Sequence, residues 1–324
     1  AQRALDMHPL VIENNIIRYA TAIGLDCGSE GDYDLEGTQP EPQNAGHHLI
    51  RGNVISDNGA CGIAGYRSLR TKIVDNVIER NNWMHFAAPE IAGIKTHFFV
   101  GGRIEGNLIR DNAASGIWLD NVYAHARVTR NVIIGNSKAG VMVEMGGGPV
   151  LIDNNIIGDT RRPDDPAADS IGDLYGHDSS GITFAHNLVF GSQMFAVHLR
   201  PLTDRSHSVY PEDIQSWETE PVDRRPCESS HHRIVNNIFV VEAGRLFNLP
   251  YPGPKSEDIV CDSNLIYPAA ECVVNRRSGV SIDTILDRCQ EQIDRRPGLW
   301  WGNAGAVVKW DEWKKVMGMG TRSV

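Results

Sequence analysis

Short apolar runs with period-two alternation recur along this chain, each punctuated by asparagine or glycine. The unit reads apolar-x-x-Asn-apolar-apolar, as in Ile50-Arg51-Gly52-Asn53-Val54-Ile55, Ile73-Val74-Asp75-Asn76-Val77-Ile78 and Ile104-Glu105-Gly106-Asn107-Leu108-Ile109. Further copies centre on Asn15, Asn131, Asn155, Asn187, Asn237 and Asn264. Successive asparagines are 38, 23, 31, 24, 24, 32, 50 and 27 residues apart, so a base period near 24 is lengthened by insertions. A period of that size marks a solenoid, in which each repeat buries its apolar face on its neighbours. A second asparagine follows five residues later at Asn58, Asn81, Asn112 and Asn136, and a glycine-led strand starts nine later at Gly62, Gly116 and Gly140. Short alternating strands separated by Asn and Gly predict strands and tight turns. Ile and Val fill the pattern, where a leucine-rich repeat would carry leucines. The fold class is therefore all-β, a right-handed parallel β-helix with the asparagines stacked in ladders at its corners. Asn suits a corner because it tolerates left-handed backbone and bonds locally in turns.

Three stretches interrupt the period and predict long loop insertions: 26–46, 158–180 and 201–231. The coil is expected over 1–276, with its first strand running from Leu10 to Ile17. Residues 277–324 are expected to form short C-terminal helices, Ser281 to Glu291 and Trp310 to Met317, with Trp300, Trp301, Trp310 and Trp313 covering the last rungs. The start of the chain already looks like an interior repeat, which suggests a piece of a longer protein.

Alternation assigns side chains to faces. In Gly116-Ile117-Trp118-Leu119-Asp120, Ile117 and Leu119 point inward while Trp118 and Asp120 point outward. Gly140-Val141-Met142-Val143-Glu144 repeats this 24 residues later, and Gly93-Ile94-Lys95-Thr96-His97 precedes it. One outward column thus reads His97, Asp120, Glu144, and the column beside it Lys95, Trp118, Met142. His198 and Arg200 extend these columns one or more rungs on; Asp26 stands toward the other end with its register open. The segment Tyr175-Gly176-His177-Asp178 ends the second insertion and is placed to wall the same face. Neighbouring strands lie about 4.8 Å apart, and the carboxyl pair of a retaining glycosidase about 5 to 5.5 Å apart. Two acids that close repel, which separates them into a protonated acid and an ionised nucleophile.

Composition narrows the chemistry. The 324 residues carry a net charge of −10 without a long basic cluster, which argues against nucleic acid or an anionic membrane as partner. No apolar run reaches the 18 or more residues of a membrane span. The six cysteines include no C-x-x-C pair, so zinc is not suggested, and disulfides and buried thiols both stay open. The compartment stays open too, with an extracellular or periplasmic one slightly favoured, as does homo-oligomerisation. Gly146-Gly147-Gly148 leads into Pro149 and a strand, so it is no phosphate loop. Calcium needs several converging oxygen ligands; two acids in register with bases alongside do not favour it, and no cofactor is expected.

From Glu90 to Asn155 the chain resembles the β-helical β-xylosidase family of glycoside hydrolases. The resemblance rests on Glu90-Ile91-Ala92-Gly93-Ile94-Lys95-Thr96-His97, Gly116-Ile117-Trp118-Leu119-Asp120, Val143-Glu144 and Gly148-Pro149-Val150-Leu151-Ile152-Asp153-Asn154-Asn155. It implies Asp120 as nucleophile, Glu144 as general acid/base and Glu90 as a third carboxylate near the sugar. The family places an aromatic residue after the nucleophile and a histidine three residues after the acid/base, where this chain has Asn121 and Gly147. The β-sandwich that the family inserts in its coil has no equivalent here.

The expected function is a retaining, xylosidase-like glycoside hydrolase acting on a plant or microbial oligo- or polysaccharide. Asp120 and Glu144 form the catalytic pair, and Glu90, Lys95, His97, Trp118, Asn121, His177, Asp178, His198 and Arg200 form the carbohydrate-binding set. One alternative is a lyase or epimerase on uronate glycans, with Lys95, His97 or Arg200 as base. The other is a non-catalytic, glycan-binding β-helix.

Overall fold

A computed structural model describes residues 9–27, 46–87, 90–161, 172–200, 229–242, 244–253, 256–268, 271–275 and 305–324. Its organising element is a column of asparagines. The backbone N–H of each donates to the side-chain oxygen of the next: Asn15 to Asn53 at 3.0 Å, Asn53 to Asn76, Asn76 to Asn107 and Asn107 to Asn131 each at 2.9 Å, and Asn131 to Asn155 at 3.0 Å. The ladder continues through Asn187 and Asn237 to Asn264, whose N–H donates to Ser323 Oγ at 3.0 Å. These asparagines are not themselves in the left-handed region. The residue before each one is, as at Asp75 (φ 54°), Gly106 (66°), Arg130 (57°) and Asn154 (55°). The left-handed residue turns the chain, and the asparagine ties that turn to the next rung.

Each rung gives one strand to each of three sheets, of nine, nine and ten strands among the described residues. The turn before the ladder asparagine joins the first sheet to the second, so the stretch from Leu10 to Ile17 is two strands, Val11–Glu13 and Ile16–Arg18, parted at Asn14 (φ 58°). The asparagines at 58, 81, 112 and 136 form a second ladder at the corner before the third sheet. Glycine leads the third-sheet strands there because a Cβ on Gly140 would come within 2.7 Å of the Asp173 carbonyl and 2.5 Å of Ile157. Inside the coil, Ile50, Ile73, Ile104, Val128, Ile152, Ile117 and Val141 are wholly buried in one continuous core.

The third sheet ends in the antiparallel pair Glu271–Asn275 and Gly305–Lys309. The helix Trp310–Met317 follows. Trp310 and Trp313 stack on each other at 5.2 Å and pack on Phe247 at 5.8 and 5.3 Å. Ser281 to Glu291, Trp300 and Trp301 lie outside the described residues, as do 28–45, 162–171 and 201–228 within the three insertions. One insertion is corrected: 158–180 is not a loop throughout, because Gly172–Ser179 is a strand paired in register with Ala139–Gly146. Cys27, Cys61, Cys261 and Cys272 are buried free thiols, and burial pushes Cys27 and Cys61 up to about 12. Among the described residues no helix is long and apolar enough to cross a membrane.

The second ladder changes chemistry after Asn136. Thr160 Oγ1 donates to Asp173 Oδ1 at 2.5 Å in a fully buried corner. Burial there pushes the Asp173 carboxyl up to about 8, against the lowering effect of the Thr160 and Ser192 hydroxyls. The folded state therefore keeps a proton that the unfolded chain releases around pH 4. Its stabilising contribution is whole below that pH and is lost as pH rises toward 8. Asp173→Asn removes this dependence. Thermal unfolding at about pH 5 and pH 8.5 should show a smaller fall in Tm for the variant than for the wild type, and equal falls would contradict the assignment. Asn131→Ala deletes donors to the Ile104 carbonyl and Asn155 and the acceptor used by Asn107. A loss of about 2–4 kcal/mol is expected from chemical denaturation, since buried backbone groups are left unpaired; a loss under about 0.5 kcal/mol would show that the ladder is dispensable.

Candidate active site

The third sheet carries the outward columns, and pairing fixes them rung by rung. His97 stands opposite Asp120, Asp120 opposite Glu144, Glu144 opposite His177 and His177 opposite Arg200. The neighbouring column reads Asp26, Ala64, Lys95, Trp118, Met142, Tyr175, His198 and Asn248. Asp26 thus falls in the Lys95 column, away from the acids. A cavity of about 410 Å³ opens over these columns, lined by Glu90, His97, Trp118, Asp120, Asn121, Lys138, Met142, Glu144, Met145, Tyr175 and His177.

Outward does not mean exposed on this face. Lys95 is wholly buried, and Trp118, Met142 and Tyr175 are 5%, 2% and 1% exposed. Lys95 Nζ donates to Asp120 Oδ2 at 2.8 Å and lies 3.8 Å from Glu90 Oε1. It also sits 3.0 Å from the centre of the Trp118 ring, with Lys138 Nζ from the following rung at 4.8 Å. The ring that was expected to stack on a sugar therefore carries ammonium groups over it. The interaction is a cation–π contact in a desolvated site.

Asp120 Oδ1 accepts the backbone N–H of Asn121 at 2.7 Å. Asn121 occupies a strand irregularity after Asp120, with φ at 43°. There its amide Nδ2 donates to His97 Nδ1 at 3.0 Å, which leaves the His97 Nε2 hydrogen for Glu90 Oε2 at 3.1 Å. Burial raises the Glu90 carboxyl, but the hydrogen bond from His97 and the charge of Lys95 outweigh it and hold Glu90 below its ordinary value. On the next rung, His177 Nδ1 lies 3.1 Å from Glu144 Oε1. Three carboxyl groups, Glu90, Asp120 and Glu144, thus gather beside the Lys95 ammonium and two imidazoles.

Not every expected residue lines the cavity. Asp178 is fully buried behind His177, 3.6 Å from its Nε2. His198 packs its ring on Tyr175 and Phe195, and Arg200 reaches the Tyr175 hydroxyl at 3.4 Å. Lys138 and Met145 line it without having been expected, and Tyr175 lines it within the segment expected to wall this face. Tyr175 and the register of His177 carried a signal, because the turn from the third sheet to the ladder has nearly constant length. His97, Asp120, Glu144 and His177 stand ten or eleven residues before Asn107, Asn131, Asn155 and Asn187. Counting back from the asparagine avoids the insertion, whereas counting forward runs into it. Lys138 is a left-handed turn residue (φ 80°) without such a marker.

No curated protein matches the chain. The solved complex of XylC with xylose shares its fold, with a TM-score of 0.60 at 23% identity over 81% of this chain and 45% of that one. The chain therefore spans less than half the length of that protein. A family model described as right handed beta helix region matches residues 6–189, more than half of the sequence. The chain belongs to the right-handed β-helix family.

Proposed function

We propose that the chain is a retaining glycoside hydrolase that works by double displacement. The observation that carries this reading is the register pair Asp120 and Glu144, on adjacent parallel strands at the wall of one cavity. One strand spacing is about 4.8 Å, near the separation of about 5 to 5.5 Å that suits direct attack on the sugar. An inverting pair needs about 6.5 to 9.5 Å to admit a water molecule.

Asp120 attacks the anomeric carbon as Glu144 passes a proton to the leaving oxygen, which breaks the glycosidic bond and leaves a glycosyl ester on Asp120. Glu144, now a carboxylate, takes a proton from water, and the hydroxide so formed displaces Asp120. Lys95 places a fixed positive charge on the nucleophile and, with the Asn121 N–H, aims its oxygens. Glu90 and His97 form a hydrogen-bonded unit at the cavity wall suited to sugar hydroxyls. The fold likeness to a protein solved with xylose supports a carbohydrate substrate and makes β-xylosides the first probe. The lyase reading keeps only His97 of its three candidate bases in the cavity, because Lys95 is committed to Asp120 and Arg200 reaches Tyr175, and His97 is itself held by Glu90 and Asn121.

Asp120→Ala and Glu144→Ala should each lower kcat/KM on an alkyl β-xyloside by about 10³-fold or more while circular dichroism at about 25 °C still shows the folded coil, with a lowered Tm for Asp120→Ala because it strips buried Lys95 of its partner. With azide and an activated aryl β-xyloside, Glu144→Ala should yield the β-xylosyl azide by two displacements, whereas any azide product of Asp120→Ala should be the inverted α-xylosyl azide. Near-normal hydrolysis by either variant would reject the pair. Incubation with activated 2-fluoro-glycosides should label the peptide containing Asp120; a label on another carboxylate would move the nucleophile.

A further inference from the structure

The geometry points to His177 as a positioning residue that decides which oxygen of Glu144 carries the catalytic proton. The inference rests on the glycosidase reading and goes beyond it, because His177 would act on the acid/base and not on the sugar.

The ring of His177 is clamped. It stands in register between Glu144 and Arg200, is 9% exposed, and stacks on Tyr175 at 5.5 Å and 26°. Tyr175 is itself held by the His198 ring and by Arg200. With both neighbours fixed, the imidazole cannot swing far into the cavity. Its Nδ1 lies 3.1 Å from Glu144 Oε1, while its Nε2 has Asp178 Oδ2 at 3.6 Å, beyond hydrogen-bond reach.

A carboxylic acid has one proton and two oxygens, and only a proton on the oxygen facing the substrate is useful. An Nδ1–H donated to Oε1 makes that oxygen an acceptor and leaves the proton to Oε2. In the first step the proton moves from Oε2 to the leaving oxygen, and the same Nδ1–H then stabilises the carboxylate that remains. In the second step Oε2 recovers a proton from water. His177 neither gains nor loses a proton in the cycle, which is why its role is positional.

The prediction separates positioning from sugar binding through the leaving group. An alkyl β-xyloside needs its leaving oxygen protonated and a 2,4-dinitrophenyl β-xyloside does not. In His177→Phe, which keeps a ring for Tyr175, kcat/KM for the alkyl substrate should fall at least about tenfold more than for the dinitrophenyl one. His177→Asn, whose amide can present an N–H near the place of Nδ1, should recover most of that difference. Equal losses on both substrates, or none, would overturn the proposal. A second readout does not depend on turnover. Nitrogen-15 NMR of the wild type should show Nδ1 of His177 protonated, and Glu144→Ala should change that signal; a bare Nδ1 would overturn the proposal. If the wild type cleaves neither xyloside while Nδ1 is protonated and responds to Glu144, the pairing stands and the glycosidase reading fails.

Discussion

The asparagine ladder is the constraint on which every other distance here depends. Successive rungs of a parallel coil are joined only by the continuing chain, which does not fix their register, and a slip of one residue would send outward side chains inward. Each ladder asparagine closes that freedom by accepting the N–H of one neighbour and donating to a carbonyl on the adjacent strand of the preceding rung, as Asn131 does with Asn107 and Ile104. The two hydrogen bonds are buried, so any slip would leave several polar groups unpaired at once. Register at the corner becomes register at the face. Asp120 meets Glu144 because Asn131 and Asn155 are locked together about eleven residues further on.

The face so aligned is expensive in charge. Lys95 is wholly buried against Asp120, and loss of Asp120 would leave that buried charge with only Glu90, 3.8 Å away. A pair of this kind contributes little to net stability, but it holds its members in one geometry before any substrate arrives. The same holds for Asn121, which takes up left-handed backbone to offer its N–H to Asp120 and its amide to His97. Around the acids, positioning by neighbours is the rule, and His177 on Glu144 follows it.

Much of this was legible in the sequence, since period and alternation are geometric facts that a sequence records directly. The 24-residue interval gave the rung, and alternation gave the columns containing His97, Asp120, Glu144 and Arg200. Burial was not legible. Trp118 and Met142 point outward yet lie under cover, because alternation reports direction and not what lies above a side chain. The strand Gly172–Ser179 was hidden for a different reason: the corner asparagine expected before it is Thr160, and an insertion separates that corner from the strand. The turn logic was also more specific than the residue type suggested, with the strain carried by the residue before each asparagine. Asp178 and His198 were drawn toward the substrate by their chemistry, although the backbone buries one and packs the other against aromatic rings.

In the proposed reaction, one strand spacing between Asp120 and Glu144 suits double displacement over inversion. Stereochemistry reports that spacing directly. Proton NMR of the sugar first released from an aryl β-xyloside, recorded before mutarotation, should show the β anomer. Release of the α anomer would mean that water attacks directly across a wider gap, and the account of the acid pair would be wrong.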